Sequence, residues 1–201
     1  MRRSLFGLLT VVAVTALFFT TGCERSSVLR VASVNEGMSL ASDIADFYKY
    51  FDKEDSEWVL IYQVLPDTCE IQLQYVEIGA GLPTWTPFEA IINKATISYK
   101  SLLDPAVTYD NEVVPMTYYV MADQTNKKTT KFFMTVASAS WKEKTFGDDI
   151  ADPPDYDLLD KVEATIKFSG WDSVSLRTVE AQGKLQIEFG NLYDDPSKFE
   201  K

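Results

Sequence analysis

The chain contains no histidine, and that one absence removes several chemistries. Without an imidazole there is no Ser-His-Asp or Cys-His nucleophile system, no HExxH zinc site and no CxxCH haem attachment. Cysteine is almost missing too: Cys23 and Cys69 are the only two. Cations are scarce, with 19 Lys and Arg against 30 Asp and Glu and a formal net charge of −11. Nucleic acid and anionic lipid headgroups both attract cationic patches, so this balance argues against either as a partner. Despite the many acids, no DxDxDG calcium-loop spacing occurs. The apolar run Leu5–Phe19 is shorter than the roughly 20 residues that span a bilayer.

A positive start, Met1-Arg2-Arg3-Ser4, followed by that short apolar run has the form of a signal segment. It ends in Thr20-Thr21-Gly22-Cys23, which resembles the lipobox of bacterial lipoproteins. In that family the signal peptidase cuts before the cysteine, which carries a thioether-linked diacylglyceryl group. The resemblance implies that residues 1–22 are removed and that Cys23 becomes a lipidated N-terminus, the membrane contact of the protein. Thr20 stands where the family usually has Leu, and an ordinary secretory signal with a chance cysteine is the alternative. Two or three acyl chains hold a protein far more firmly than one. Glu24, in place of the Asp that retains enteric lipoproteins at the inner membrane, points to the outer membrane. With Cys23 acylated, Cys69 has no partner for a disulfide within the chain.

Residues 23–29 read as a polar tether, 30–192 as one folded domain and 193–201 as an acidic, polar tail. In "SDIADFYKYFDKEDSE", Ile44, Phe47, Tyr48 and Phe51 fall at helical spacing, with Ser42 as a cap, and predict one short N-terminal helix. The remainder reads as strands. "EWVLIYQV" is apolar on both faces, as a central strand would be. "CEIQLQYVEI" alternates, with Cys69, Ile71, Leu73 and Tyr75 on one face, and "LPDT" predicts a hairpin between these two. "MTYYVMA" and "KFFMTVAS" flank the polar "DQTNKK" as a second expected hairpin. "KATISY" sets Ala95, Ile97 and Tyr99 on one face. "VEATIKF" and "KLQIEF" direct Val162, Ala164, Ile166 and Phe168, then Leu185, Ile187 and Phe189, inward. About eight strands with this alternation predict an all-β fold, an antiparallel β-sandwich. "KATISY" and "EATIKF" look alike, which either a duplication or convergence of β-branched strands explains.

"VASVNEG" followed by "SDI", then "EATIKFSGWD" and the closing "VEAQGKLQIEFGNLYDD", together resemble an uncharacterised group of secreted bacterial lipoproteins with an immunoglobulin-like domain. The resemblance implies the immunoglobulin-like form of the sandwich and an envelope location. It implies no catalytic residues.

Three groups of residues could carry chemistry. Asp148, Asp149, Asp152, Asp155 and Asp157 crowd the stretch "FGDDIADPPDYDLLD", read as a loop. Calcium takes six to eight oxygens, so these are the calcium candidates; a solvated acidic surface is the plainer account. Trp85 in "GLPTWTPF" and Trp171 in "SGWDS" sit in apparent loops, where exposed indoles would stack on a sugar, or else cap the core. Cys69 shares phase with apolar neighbours and reads as a buried, inert thiol. The combined expectation is a lipid-anchored, non-catalytic envelope protein without nucleic acid, haem or other resident cofactor, contacting another envelope protein. A calcium- or carbohydrate-binding module is the alternative.

Overall fold

The computed structural model describes residues 26–52, 55–78, 89–123, 128–151 and 158–191. Among these residues there are ten strands and one α-helix: β1 Ser26–Val34, β2 Leu40–Asp43, β3 Asp46–Asp52, β4 Glu57–Gln63, β5 Asp67–Ile78, β6 Glu89–Ser101, β7 Glu112–Asp123, β8 Thr130–Ala137, α1 Ala139–Ala151, β9 Leu158–Asp172 and β10 Thr178–Gly190. One sheet has the order β1-β5-β7-β6-β9-β10-β2, with β8 also on β5, and β3 pairs β4 separately. The expected all-β class is what forms.

Alternation explains the long strands. On β5, Ile71, Leu73 and Tyr75 are buried while Gln72 and Gln74 are not, and β6, β9 and β10 repeat the pattern with Ile97, Ile166 and Ile187. A strand turns successive side chains to opposite faces, so the buried sets meet in one core. The sheet curls to enclose that core, bringing β1 over β10. A Cβ placed on Gly183 would stand 2.8 Å from Val34 Cγ2 and 2.9 Å from Val31 Cγ1. Only glycine admits so close an approach. The resembling strands "KATISY" and "EATIKF" are direct antiparallel neighbours, Ile97 opposite Ile166.

The chain departs from the sequence expectations in several places. The expected N-terminal helix is absent, and its residues form β2 and β3. "DFYKYFD" is dense in aromatics, which favour strands, and β3 pairs β4 from Asp46↔Gln63 to Asp52↔Glu57. Ile44 and Phe47 are buried as expected, yet Phe51 is exposed; a helical stripe would have buried all three. β4 is therefore no central strand, and it makes no hairpin with β5, which pairs β1 and β8 instead. Nor do β7 and β8 form a hairpin with each other. β7 pairs β6 and β8 pairs β5. That arrangement lets Tyr118 and Phe132 meet face to face, with ring centroids 3.9 Å apart, rather than lie side by side. Two pairings, β10 with β2 and β5 with β7, are parallel, so the sheet is not wholly antiparallel. Strand β1 begins at Ser26, inside the expected tether.

The helix lies where a loop was expected. Ser138 follows β8 and caps α1, its Oγ accepting the Trp141 amide at 3.1 Å. Trp141, Phe146 and Ile150 then face the core, with Trp141 packed on Tyr99 at 4.2 Å between centroids. Among the described residues, no helix is long and apolar enough to cross a membrane.

Candidate functional site

The expected site residues divide sharply. Cys23, Trp85, Asp152, Asp155 and Asp157 lie outside the described residues. Asp148 and Asp149 sit not in a loop but in the last turns of α1, one exposed and one half-buried. Among the described residues, no group of three or more acidic or cysteine side chains converges as a metal site. Trp171 belongs to β9 rather than a loop, opposite Ile91 of β6, which also faces Tyr119 of β7. These three make a row across the outer face of the sheet, with Tyr119 55% and Trp171 37% exposed. Further along, the same face is covered by ion pairs, Lys167–Glu180 at 2.8 Å, Lys184–Glu163 at 2.7 Å and Lys161–Glu188 at 2.9 Å. One half of the face is salt-bridged and the other is aromatic.

Cys69 is buried, as its phase requires. Burial pushes its thiol up to about 11, only partly offset by a hydrogen bond with the Asn35 backbone. At neutral pH it carries almost no thiolate, the reactive form.

Four hydroxyl–carboxylate arrangements escaped the sequence reading, because each joins residues distant in the chain. At the end of the domain where β1 begins, the Tyr75 hydroxyl donates to Asp172 Oδ2 at 2.6 Å, and Ser27 Oγ lies 2.5 Å from the same hydroxyl. Asp172 Oδ1 also accepts the amides of Val174 at 3.0 Å and Ser175 at 2.6 Å. Burial works against the Asp172 carboxylate, but those donors outweigh it and hold its pKa below the ordinary carboxylate value. Tyr75 is pushed up to about 12, by burial first and then by Asp172.

At the opposite end, Tyr109 donates to Asp160 Oδ2 at 2.5 Å while Ser101 Oγ donates to Oδ1 at 2.8 Å. Nearby, the Tyr99 hydroxyl lies 2.5 Å from Glu112 Oε2 and 2.7 Å from the Val136 carbonyl, and Ser138 Oγ donates to Glu112. Burial, reinforced by the carboxylates, raises both phenols far above their ordinary value. The fourth arrangement surrounds Lys142. Its Nζ lies 3.0 Å from Asp67 Oδ2 and donates to the Asp43 carbonyl at 2.7 Å, while Ser42 Oγ donates to Asp67 Oδ2 at 2.5 Å. Burial raises the Asp67 pKa, although Ser42 and Lys142 oppose it.

Each arrangement ties a loop, strand end or helix to the sheet, and its carboxylate is already occupied by donors of the same chain. What these groups do chemically is hold the two ends of the domain in place. No protein-family model matches the chain, and no curated protein matches it significantly.

Proposed function

We propose that this is a lipid-anchored protein of the bacterial cell envelope, held in the outer membrane through Cys23, whose domain binds another envelope protein without catalysis. The "TTGC" stretch behind a short apolar run supports the anchor. The domain is read as an immunoglobulin-like sandwich on its strand order. β1, β5 and β8 are taken as one group and β2, β10, β9, β6 and β7 as the other, joined where β5 meets β7 over the short pairing Tyr75↔Ala122 and Val76↔Asp123. Consecutive strands β1 and β2 fall in different groups. Lettered in chain order, these are A, B and E on one side and A′, G, F, C and C′ on the other, which supports the immunoglobulin-like reading.

The observation that carries the binding role is the β3–β4 pair. β4 has the composition of a strand buried on both faces. It stands instead in a separate two-stranded sheet, where Phe51 is 45%, Ile61 48% and Tyr62 52% exposed. Ile61 and Tyr62 are adjacent and so point to opposite faces. A lone two-stranded hairpin is marginal in water, and large apolar side chains exposed on both of its faces are a feature of protein contacts. A partner chain laid on or beside β4 would cover them. A photo-crosslinking residue at Tyr62 in intact cells should give one discrete heavier adduct. Ile61→Ser should abolish that adduct without changing thermal stability. A crosslinker at Tyr62 that yields no adduct in cells, or an adduct indifferent to Ile61→Ser, would remove this reading.

A further inference from the structure

Among the described residues, the end of the domain where β1 begins exposes apolar side chains at its tip, and the proposed lipid anchor lies next to it in the chain. The β9–β10 turn, Ser173–Arg177, exposes Val174 at 62% and Leu176 at 74%. The Ser173 amide donates to the Glu89 carbonyl at 2.9 Å, and Glu89 faces Met121, which is also exposed. One step further from the tip comes the row Tyr119–Ile91–Trp171. This order, aliphatic at the tip and then Tyr and Trp, is that of groups entering a membrane interface, where aromatic rings sit at headgroup level.

Of the acids described at this end, Glu89 is half-buried beside Met121, and the other two are withdrawn from the surface. Asp172 is buried and takes the Tyr75 hydroxyl and two turn amides. Asp123 is also buried and accepts the Lys128 amide at 2.6 Å. Arg177 and Lys128 are exposed on the same end.

Chain length decides which surface would meet the lipid. Only Glu24 and Arg25 separate Cys23 from Ser26, the first residue of β1. Three residue steps reach at most about 10 Å. The headgroup layer of one leaflet is itself about 5–8 Å thick. An acylated Cys23 therefore leaves no room for the domain to stand clear of the bilayer. The hydrogen bonds from Ser27 through Tyr75 to Asp172 fix the β9–β10 turn beside the start of β1. The opposite end also exposes apolar side chains, Leu102 and Leu103 among them, but it lies a full strand length away.

We infer that the Val174–Leu176 tip, with Met121, Trp171 and Tyr119 behind it, enters the headgroup layer of the membrane that holds the lipid anchor. The domain then stands upright, with α1 and the β6–β7 loop away from the bilayer. The inference rests on lipidation of Cys23. The acidic net charge makes zwitterionic lipid the fitting surface rather than anionic lipid.

The mature protein offers a clean test, because Cys23 would be acylated and Cys69 is buried with a raised pKa. Val174→Cys and, as the distal control, Leu103→Cys each supply one reactive thiol for a fluorophore. The labelled proteins are placed in phosphatidylcholine vesicles doped with nitroxide-bearing lipid and titrated with aqueous iodide, after intact-mass analysis. The probe at 174 should be quenched severalfold more by the nitroxide lipid than the probe at 103, and iodide should reverse that order. A lipidated protein whose two probes respond equally to iodide overturns the tip contact and leaves the anchor standing. A protein without lipid mass overturns both.

Discussion

Removing Asp67 while Lys142 remains is the most demanding perturbation of the domain. The Lys142 side chain is 1% exposed, and that of Asp67 15%. Asp67→Ala would leave an ammonium inside the protein with the Asp43 carbonyl as its remaining described acceptor. Breaking a buried pair from one side costs about 3–5 kcal/mol, a large share of the 5–15 kcal/mol that ordinarily holds a domain together. Lys142→Met is a different case. It keeps the volume of the stem, and the carboxylate left behind has the Ser42 donor, some water and a pKa already raised by burial. It should cost much less, and Asp67→Ala with Lys142→Met should recover most of the loss, since a buried pair can be replaced by apolar groups at little cost. Because the Asp67 pKa is higher folded than unfolded, its protonated form favours the fold. That contribution is full below the ordinary carboxylate pKa and is lost as pH rises through the raised value. Lys142→Met should therefore gain stability relative to wild type on acidification from neutral pH. Urea unfolding, read as midpoint and slope together, measures all of this. Asp67→Ala within about 0.5 kcal/mol of wild type, the range of surface changes, would refute the burial of Lys142. So would a double variant no better than the single.

The remaining expectations concern the sheet and the thiol. Ile166→Ala, at a fully buried position of β9, should cost about 2–5 kcal/mol. Lys167→Ala, next in the chain and half-exposed in its ion pair with Glu180, should stay within about 1 kcal/mol of neutral; equal losses in denaturant titrations would mean the register is wrong. Gly170→Ala would place a Cβ 2.0 Å from the Ile91 carbonyl oxygen. Moving backbone aside should cost at least the 1–3 kcal/mol typical of overpacking, and a melting temperature unchanged by this substitution would contradict the close β6–β9 contact. Cys69 should resist alkylation in the native protein and react once denatured; rapid native labelling, or a heavier band on non-reducing gels that Cys69→Ala removes, would make it a functional thiol.

How much of this was legible beforehand depended on whether a residue's neighbours in space are also its neighbours in sequence. In β5, β6, β9 and β10 one face is buried and the other solvated, so alternation named Ile71, Ile97, Ile166 and Ile187 as core without knowledge of any partner strand. β3 and β4 defeated the same logic. "DFYKYFD" carries enough aromatics to satisfy either a helical or an extended period, and pairing with β4 decided between them. Strand pairing itself was illegible: "LPDT" looks like a hairpin turn, yet it carries the chain from one sheet to another. Helix α1 was hidden because Trp141, Phe146 and Ile150 are widely spaced and acids follow them. The tyrosine–carboxylate contacts could not have been found, since Tyr75 and Asp172 are 97 residues apart. Trp171 stands out by residue type alone, whereas its alignment with Ile91 and Tyr119 is a property of register.

The proposed lipidated N-terminus at Cys23 is a matter of mass. Protein extracted gently from membranes of its native host should have a mass corresponding to a chain that begins at Cys23, raised by a diacylglyceryl group, with Cys23→Ser losing both the lipid and the membrane association. A mature chain beginning elsewhere and carrying no lipid would contradict it.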